Sequence, residues 1–579
     1  MIEKDRNSRT VTFLLYMTIF GFMITEILLN FTPPISRDAL IHHLAIPKLW
    51  LEHGGFYEIP WADFSYYPMN IDFLYFISLY FNNDIVPKFI HFAFGLGTGL
   101  LVYCYIKNRL GKNWGLLGFL IFFSTPAVAR LSTTAYVDLG MVFFATASLL
   151  AFVRWRDGSY KDTKWFVLSA VCMGLALGAK YNALIAWLFL NLMMVFYYSR
   201  DTKKGLPTLG YGVAFFAIAL LVVSPWFIKN CIQTGNPIYP LFDSFFKAFY
   251  HAGDGSDGLS VTTKSNWIAN IFQRREVVFG ESFLETLFIP IRMFFQGKDD
   301  SVQYFDGVLN PILIVMLPFV FLNKKFNRDK VFFLLFSVFF LFMAYFLTVI
   351  RIRYILPVVP FLAILSVIGI KNIVEWAGNK FGSVRQIGLI SISAIVIMFI
   401  SFNLLYLKNY FNTIQPVRYI LNQETKDEFL SRNIGSYPAM KYINKNLPND
   451  VRIFLMFLGR RGYYLNRPYY YERSFGMKTI RGMVKASADK QHFQTYLKSL
   501  DCTHILMRTN LVNKYLHDNF SEKIIIRFLD IVKECLAPIY ESNGYAVMEL
   551  KNDRQKIIDT VASESNHQTG TKNPASSED

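Results

Sequence analysis

An aspartate stands where the chain leaves its first apolar stretch. Asp38 lies in Ser36-Arg37-Asp38-Ala39-Leu40-Ile41-His42-His43, directly after the apolar run 11–30. An ionisable group at the mouth of a membrane bundle is costly unless it has a partner or a task. A carboxylate there suits a general base, which takes a proton from a nucleophile. The structural alternative is a helix start, where the helix dipole favours a negative side chain. On a helix beginning near Ser36, Asp38 and His42 fall four residues apart and share a face. His42 and His43 could bind a metal, but no HExxH or Cys/His spacing supports one, and interfacial hydrogen bonding is the plainer reading.

A second carboxylate, Asp138, opens a later apolar run after Thr133-Thr134-Ala135-Tyr136-Val137. Three cations complete the set. Lys180 sits in Gly178-Ala179-Lys180-Tyr181-Asn182, and Arg351 and Arg353 sit in Ile350-Arg351-Ile352-Arg353-Tyr354-Ile355-Leu356-Pro357. Their chemistry is anion capture: a guanidinium fork holds two phosphate oxygens, and an ammonium adds a point charge. The bland alternative is snorkelling of long basic side chains to lipid headgroups. No DxD pair appears in either carboxylate loop, which weakens a divalent-cation mechanism. The basic residues can supply the countercharge with no metal and no cofactor.

The elements that must position these residues are membrane spans. The chain has 579 residues, 53% of them hydrophobic, and its apolar runs are long enough to cross a bilayer. About eleven spans are expected, over 11–30, 86–106, 114–130, 137–153, 165–179, 182–198, 208–228, 307–322, 331–349, 353–370 and 387–407. The first is read as a span and not a cleaved signal, because Thr32-Pro33-Pro34 follows it in place of a small-residue cleavage site. A net charge of +17 raises the question of nucleic acid. The basic residues instead cluster in short loops between spans, which is an orientation signal, and no DNA-binding motif accompanies them. With eleven spans, those loops all fall on the cytoplasmic side. Asp38, Asp138, Lys180 and the two arginines then fall on the other. Lys180, Arg351 and Arg353 break the positive-inside trend, which is what draws attention to them.

The non-cytoplasmic segments are 31–85, 131–136, 229–306 and everything after 407. Leu40–Trp50 and Ile71–Phe81 read as interfacial helices lying along the bilayer, with Gly54-Gly55 as a breaker between them. The Gly/Asp/Ser stretch 253–260 reads as a mobile loop, and the segment around it as a lid. Beyond the spans the chain changes character. Val451–Phe457, Thr503–Met507 and Tyr545–Leu550 read as strands, and Pro438–Asn446 and Phe493–Leu500 as helices. Arg460, Arg461, Arg467, Arg473, Lys478 and Arg481 form a basic, tyrosine-rich surface there. The expected fold class is mainly α, a multi-span helical bundle with a small extracytoplasmic α/β domain. The expected divisions are 1–410, 411–551 and a disordered tail 552–579. Cys502 and Cys535 in the α/β part either pair or stay free thiols.

Taken in order, Asp38 after the first span, Tyr67-Pro68, Asp138, Ala179-Lys180-Tyr181, Gly235-Asn236-Pro237 and Arg351-x-Arg353-Tyr354-x-x-Pro357 resemble polytopic GT-C glycosyltransferases. Within these the likeness is to bacterial relatives of glycosyltransferase family 39, which include protein O-mannosyltransferases and lipid A aminoarabinose transferases. It covers about residues 11–410. The resemblance implies an enzyme that takes a sugar, hexose or pentose, from a polyprenyl-phosphate donor. The acceptor is a glycan, lipid or protein outside the cytoplasm, reached by one inverting displacement. The family's first-loop acidic residue maps onto Asp38, the candidate base; Ala39 follows it where protein mannosyltransferases often carry a glutamate. Lys180, Arg351, Arg353 and Tyr354 are the candidate donor-phosphate contacts. Asp138, His42, His43, Tyr67 and Asn236 are candidate substrate contacts. Membrane lipid is an expected partner and nucleic acid is not. The expected location is the bacterial inner membrane, with the site and the α/β domain facing outward. The competing classes are a transporter or flippase of a lipid-linked or anionic solute, and a surface-polysaccharide polymerase or ligase.

Overall fold

The computed structural model describes residues 2–246, 267–347, 349–380 and 385–551. The expected mobile loop 253–260 and the tail 552–579 lie outside the described residues. The chain forms two compact units. One takes Met1–Glu58 and Phe64–Lys426; the other takes Ile59–Asp63 and the chain from Asp427 onward. The last span helix runs on through residue 410 to Ile414, and the second unit begins only at Asp427.

The first unit is helical. Its leading helices are α1 (Ile2–Asn30), α2 (Ala45–His53), α3 (Asn70–Tyr80), α4 (Val86–Leu110), α5 (Lys112–Phe123), α6 (Pro126–Leu131), α7 (Asp138–Asp157), α8 (Thr163–Ala179), α9 (Ala183–Thr202) and α10 (Leu206–Thr234). Among the described residues, eight helices are long and apolar enough to cross a membrane. Three of the eleven expected spans are shorter: Lys112–Phe123, Thr163–Ala179 and Ile312–Leu322. The first is cut by Pro126, which opens α6 because proline cannot donate into a continuing helix. The two expected interfacial helices are present as α2 and α3, and Gly54 ends α2 at φ 84°, a left-handed conformation that suits glycine.

Local chemistry holds the span ends. α1 stops at Asn30, ahead of Pro33-Pro34, and its last carbonyls need donors. Lys88 of α4 supplies them: Nζ donates to the carbonyls of Leu29 and Thr32 at 2.8 and 3.0 Å. Inside α10, Pro225 cannot donate to Leu221. The Ser224 hydroxyl donates to that carbonyl instead, at 2.8 Å. A proline is thus tolerated within a span because a neighbouring side chain satisfies the orphaned acceptor.

The second unit is α/β. Its strands are β1 (Ile453–Met456), β2 (Tyr469–Tyr470), β3 (His504–Arg508), β4 (Leu536–Ser542) and β5 (Tyr545–Leu550), in the order β2-β1-β3-β5-β4. β1 pairs in parallel with β2 and β3, while β3–β5 and β4–β5 are antiparallel. The β4–β5 hairpin turns on Asn543-Gly544, both at positive φ, the dipeptide that a tight hairpin favours. Phe454, Met456, Ile480, Met483, Phe493 and Phe528 build its core, and Cys502 and Cys535 are both buried and are not joined in a disulfide. Part of the expected basic surface is internal bracing. Arg467 donates to the carbonyls of Asn444, Leu447 and Pro448, and Arg473 and Arg460 both pair with Asp63.

Candidate active site

The site is assembled from four stretches of the first unit. After α1 the chain passes through Pro33-Pro34 without regular structure and then makes a π-turn over Ala39–His43, closed by Leu44 N–H donating to the Ala39 carbonyl at 3.0 Å. Such wide turns recur at functional sites. All five turn residues are buried. Asp38 precedes the turn, but its side chain caps nothing there. It pairs instead with Arg353, Nη1 to Oδ2, 315 residues along the chain. Its backbone N–H donates to the Tyr136 hydroxyl at 3.1 Å.

Arg353 is carried by a 3₁₀ turn, Ile352–Val358, that Arg351 enters in extended conformation. The turn is anchored where Ile352 N–H donates to the Phe305 carbonyl at 2.8 Å. Lys180 ends α8, and its Nζ donates to Asp138 Oδ1 at 2.6 Å. Asp138 opens α7, whose first turn is closed by His91 of α4. His91 Nε2 accepts from Leu139 N–H at 2.8 Å while Nδ1 faces the Leu131 and Thr134 carbonyls. Both nitrogens of His91 are therefore spent on structure. The Tyr354 ring links the two ion pairs: the Lys180 ammonium lies 5.0 Å and the Arg353 guanidinium 5.1 Å from its centre, within the range of cation–π attraction.

These cations point inward. The side chains of Lys180 and Arg353 are 17% and 14% exposed, whereas a snorkelling side chain would reach outward to the headgroups. Burial favours the neutral carboxyl of Asp38, but the Arg353 guanidinium outweighs it and, with the nearby histidines, holds that carboxyl well below the usual carboxylate range. Several polar atoms here have no partner among the described residues: Arg353 Nε, Asp138 Oδ2 and His42 Nδ1. Buried polar groups are nearly always hydrogen-bonded, so such a concentration asks for an explanation.

The remaining candidates divide. Tyr67 packs on Tyr181, next to Lys180, with ring centres 5.4 Å apart. His42 stacks on Phe64 at 4.2 Å. Arg351 does not join Asp38; it pairs with Asp306 at 3.3 Å and lines a small apolar cavity with Met293, Tyr345 and Ile355. Asn236 is absorbed by its own loop, its Nδ2 donating to the Leu241 carbonyl and its Oδ1 accepting from Ile238 N–H.

The model of the dolichyl-phosphate-mannose-protein mannosyltransferase family matches residues 56–234. ArnT from Cupriavidus metallidurans in the apo state shares 13% identity at a TM-score of 0.51, over 93% of this chain and 98% of that one. The same protein bound to undecaprenyl phosphate gives 14% identity and 0.49, with the same coverage. The fold is that of a GT-C glycosyltransferase. The Archaeoglobus fulgidus oligosaccharyltransferase in complex with Zn and sulfate also has this fold, at 11% identity and a TM-score of 0.50 over 91% of this chain and 73% of that one. No curated relative matches the chain.

Within this GT-C bundle two residues at the site escaped the sequence reading. Tyr136 braces Asp38. Asp72, in the first turn of α3, lies 2.7 Å from His43 and is buried. The signal for Asp72 was available: a lone carboxylate leading an apolar run is costly unless partnered.

Proposed function

We propose that this chain is a membrane glycosyltransferase that moves a sugar from a polyprenyl-phosphate donor to an acceptor on the non-cytoplasmic side. The observation that carries the reading is the convergence of two partly buried cations on one tyrosine. Lys180 and Arg353 come from separate elements, flank Tyr354, and are each balanced by a carboxylate. A polyprenyl chain must stay in lipid, so its phosphate is presented at the interface, where the span ends lie. The donor named in the matching family's description, dolichyl-phosphate-mannose, is of this class.

In the reaction, the acceptor's nucleophile bonds to the anomeric carbon as the bond from that carbon to the phosphate oxygen breaks. Negative charge grows on the departing phosphate. Fixed cations in a water-poor site stabilise such charge more than water does. Arg353 and Lys180 fill that role, and the Tyr354 hydroxyl is a third donor. The two carboxylates keep these cations from lying buried and unpaired before the donor arrives, a state that is strongly unfavourable. Phosphate oxygens compete for the same guanidinium fork, so donor binding draws Arg353 from Asp38. Asp38 gains basicity only after that exchange, which constrains its role as the acceptor's base.

Every transfer of this kind releases polyprenyl phosphate, so the product is a probe that needs no knowledge of the sugar. Undecaprenyl phosphate is expected to raise the thermal midpoint of the purified protein, as any ligand of the folded state does. Arg353→Ala is expected to weaken transfer from polyprenyl-phosphate sugars strongly at limiting donor. Wild-type protein that neither binds undecaprenyl phosphate nor turns over any polyprenyl-phosphate sugar would refute the reading.

A further inference from the structure

The transfer needs a destination for the acceptor's proton, and Asp38 starts tied to Arg353. Within the same π-turn the chain builds a group with no such tie. His43 Nδ1 lies 2.7 Å from Asp72 Oδ1, and both residues are buried. The two come from separate elements: His43 ends the π-turn and Asp72 belongs to the first turn of α3. A carboxylate that accepts from Nδ1–H fixes the imidazole tautomer and leaves the lone pair on Nε2. No hydrogen bond to a described residue occupies that nitrogen.

Comparison with the neighbouring histidines sharpens the case. His91 spends both nitrogens on backbone groups. His42 stacks on Phe64 and lies tilted against His43, and its Nδ1 has no partner that would orient it. Of these three, His43 alone has an orienting acid and a nitrogen left over. Its ring lies 5.6 Å from that of Tyr136, whose hydroxyl accepts from the Asp38 backbone. His43 therefore belongs to the same cluster as the cation pairs. Burial pushes the imidazole down to about 3, against the upward pull of Asp38, so it is neutral at physiological pH and a weaker base than a free imidazole until anionic charge beside it offsets the desolvation. Burial also pushes the Asp72 carboxyl up to about 7, with His42 opposing, so the carboxylate that accepts from Nδ1–H is the form that prevails above that pH.

We infer that His43 is a catalytic base of this site, taking the acceptor's proton on Nε2, and that Asp72 is the positioning residue that orients it. The inference rests on the transferase reading and assigns its proton step. The acceptor's O–H bond breaks toward Nε2 as its oxygen bonds to the anomeric carbon. The electron pair of the carbon–phosphate oxygen bond leaves with polyprenyl phosphate. His43 becomes an imidazolium, and the adjacent Asp72 carboxylate stabilises it until the proton leaves to solvent. Asp38 is then the partner that releases Arg353 to the phosphate, and the two carboxylates divide the work.

Two measurements on the full-length protein in detergent test this. The first is transfer kinetics with dolichyl-phosphate mannose and a panel of other polyprenyl-phosphate hexoses and pentoses, with membranes as the acceptor source. His43→Gln and Asp72→Asn are expected to lower kcat by about 100-fold or more, the scale of a lost general base, with donor KM changed less than about twofold. Asp38→Asn is expected to lower donor KM instead, because it removes the carboxylate that competes with phosphate for Arg353. Binding of undecaprenyl phosphate checks that each variant is folded. Active wild type together with wild-type kcat in both variants would overturn the inference and leave the transferase reading standing. Wild type inactive on every donor would remove the transferase reading and the inference with it. The second measurement needs no turnover. Nitrogen-15 spectra of labelled histidines at pH 8, with His43 assigned by its loss in His43→Gln, are expected to show its proton on Nδ1. A proton on Nε2 overturns the inference whatever the kinetics.

Discussion

Arg351 and Arg353 stand two residues apart and make unlike contacts. Arg353 faces Asp38 and the rings of Tyr136 and Tyr354. Arg351 reaches Asp306 at 3.3 Å, with both side chains about a quarter exposed. Solvent-screened pairs contribute little, about 0–1 kcal/mol, and this one is open enough to water to be partly screened. A fork that must exchange one carboxylate for one phosphate is harder to replace, because lysine offers a point charge without the planar double donor. Arg353→Lys is therefore expected to weaken undecaprenyl phosphate binding about tenfold or more, which is about 1.4 kcal/mol. Arg351→Lys is expected to change it less than about threefold. Titration of both variants with the lipid, followed by thermal shift, checks the difference. Equal losses would mean that Arg351 shares the phosphate and that the separation of the two arginines does not matter for binding.

Among the elements, the joint of α3, α8 and α10 decides whether Lys180 and Asp72 stay in place. Asn70 opens α3, and its Oδ1 accepts from Trp226 Nε1 of α10 at 2.7 Å. Its amide lies against Gly178 of α8, where an added Cβ would come within 1.9 Å of Asn70 Nδ2. Gly178→Ala must displace the Asn70 side chain, which either loses its bond to Trp226 or parts α3 from α8, with an overpacking cost of roughly 1–3 kcal/mol, and it is expected to lower both the thermal midpoint and transfer. Gly210, on α10, has nothing within 4 Å of an added Cβ. Gly210→Ala is therefore expected to be neutral or slightly stabilising, since alanine is the better helix former. Equal midpoints in the two variants would show that the joint is not close-packed. The joint also explains what could be read in advance and what could not. Lys180, Arg353 and Asp38 were visible as charges out of place beside apolar runs. Their pairing was not, because Asp38 meets Arg353 across 315 residues and Asp138 meets Lys180 across 42, and periodicity carries no information on such contacts. In the second unit the apolar β1, β3 and β5 were legible, their observed ranges close to those expected. β4 was not, because Pro538 interrupts it; as an edge strand with an irregular register near that proline, it tolerates the missing donor.

For the whole molecule the open quantity is a parity. The eight long apolar helices among the described residues would alone return the chain after Ile414 to the side on which it began, whereas counting the three shorter ones gives eleven crossings and the opposite side. At 1.5 Å per residue, α5 is only about 18 Å long and α8 about 26 Å, against a hydrocarbon core of about 30 Å. Length by itself therefore argues for eight. Two features argue for eleven. α5 is buried along nearly its whole apolar length, from Gly115 through Phe123, so protein and not lipid surrounds it, and a short or broken segment is tolerated there. α6 then continues from α5 as far as Leu131. The charges agree: Lys107, Arg109, Arg154, Arg156 and Arg200 end α4, α7 and α9 on what must be one face if α5 and α8 both cross, and basic residues gather on the cytoplasmic face. That face is opposite to the ends that carry Asp138, Lys180 and Arg353, where an acceptor outside the cytoplasm would have to meet the donor. Fusions of a periplasmic phosphatase settle the parity in a bacterial host. With eleven crossings, a fusion after Leu550 is expected to be active and fusions after Leu110 and after Asp157 inactive. A phosphatase that is silent after Leu550 would make the count even, put the chain's end back on the cytoplasmic side, and remove the topological support for transfer to an exterior acceptor.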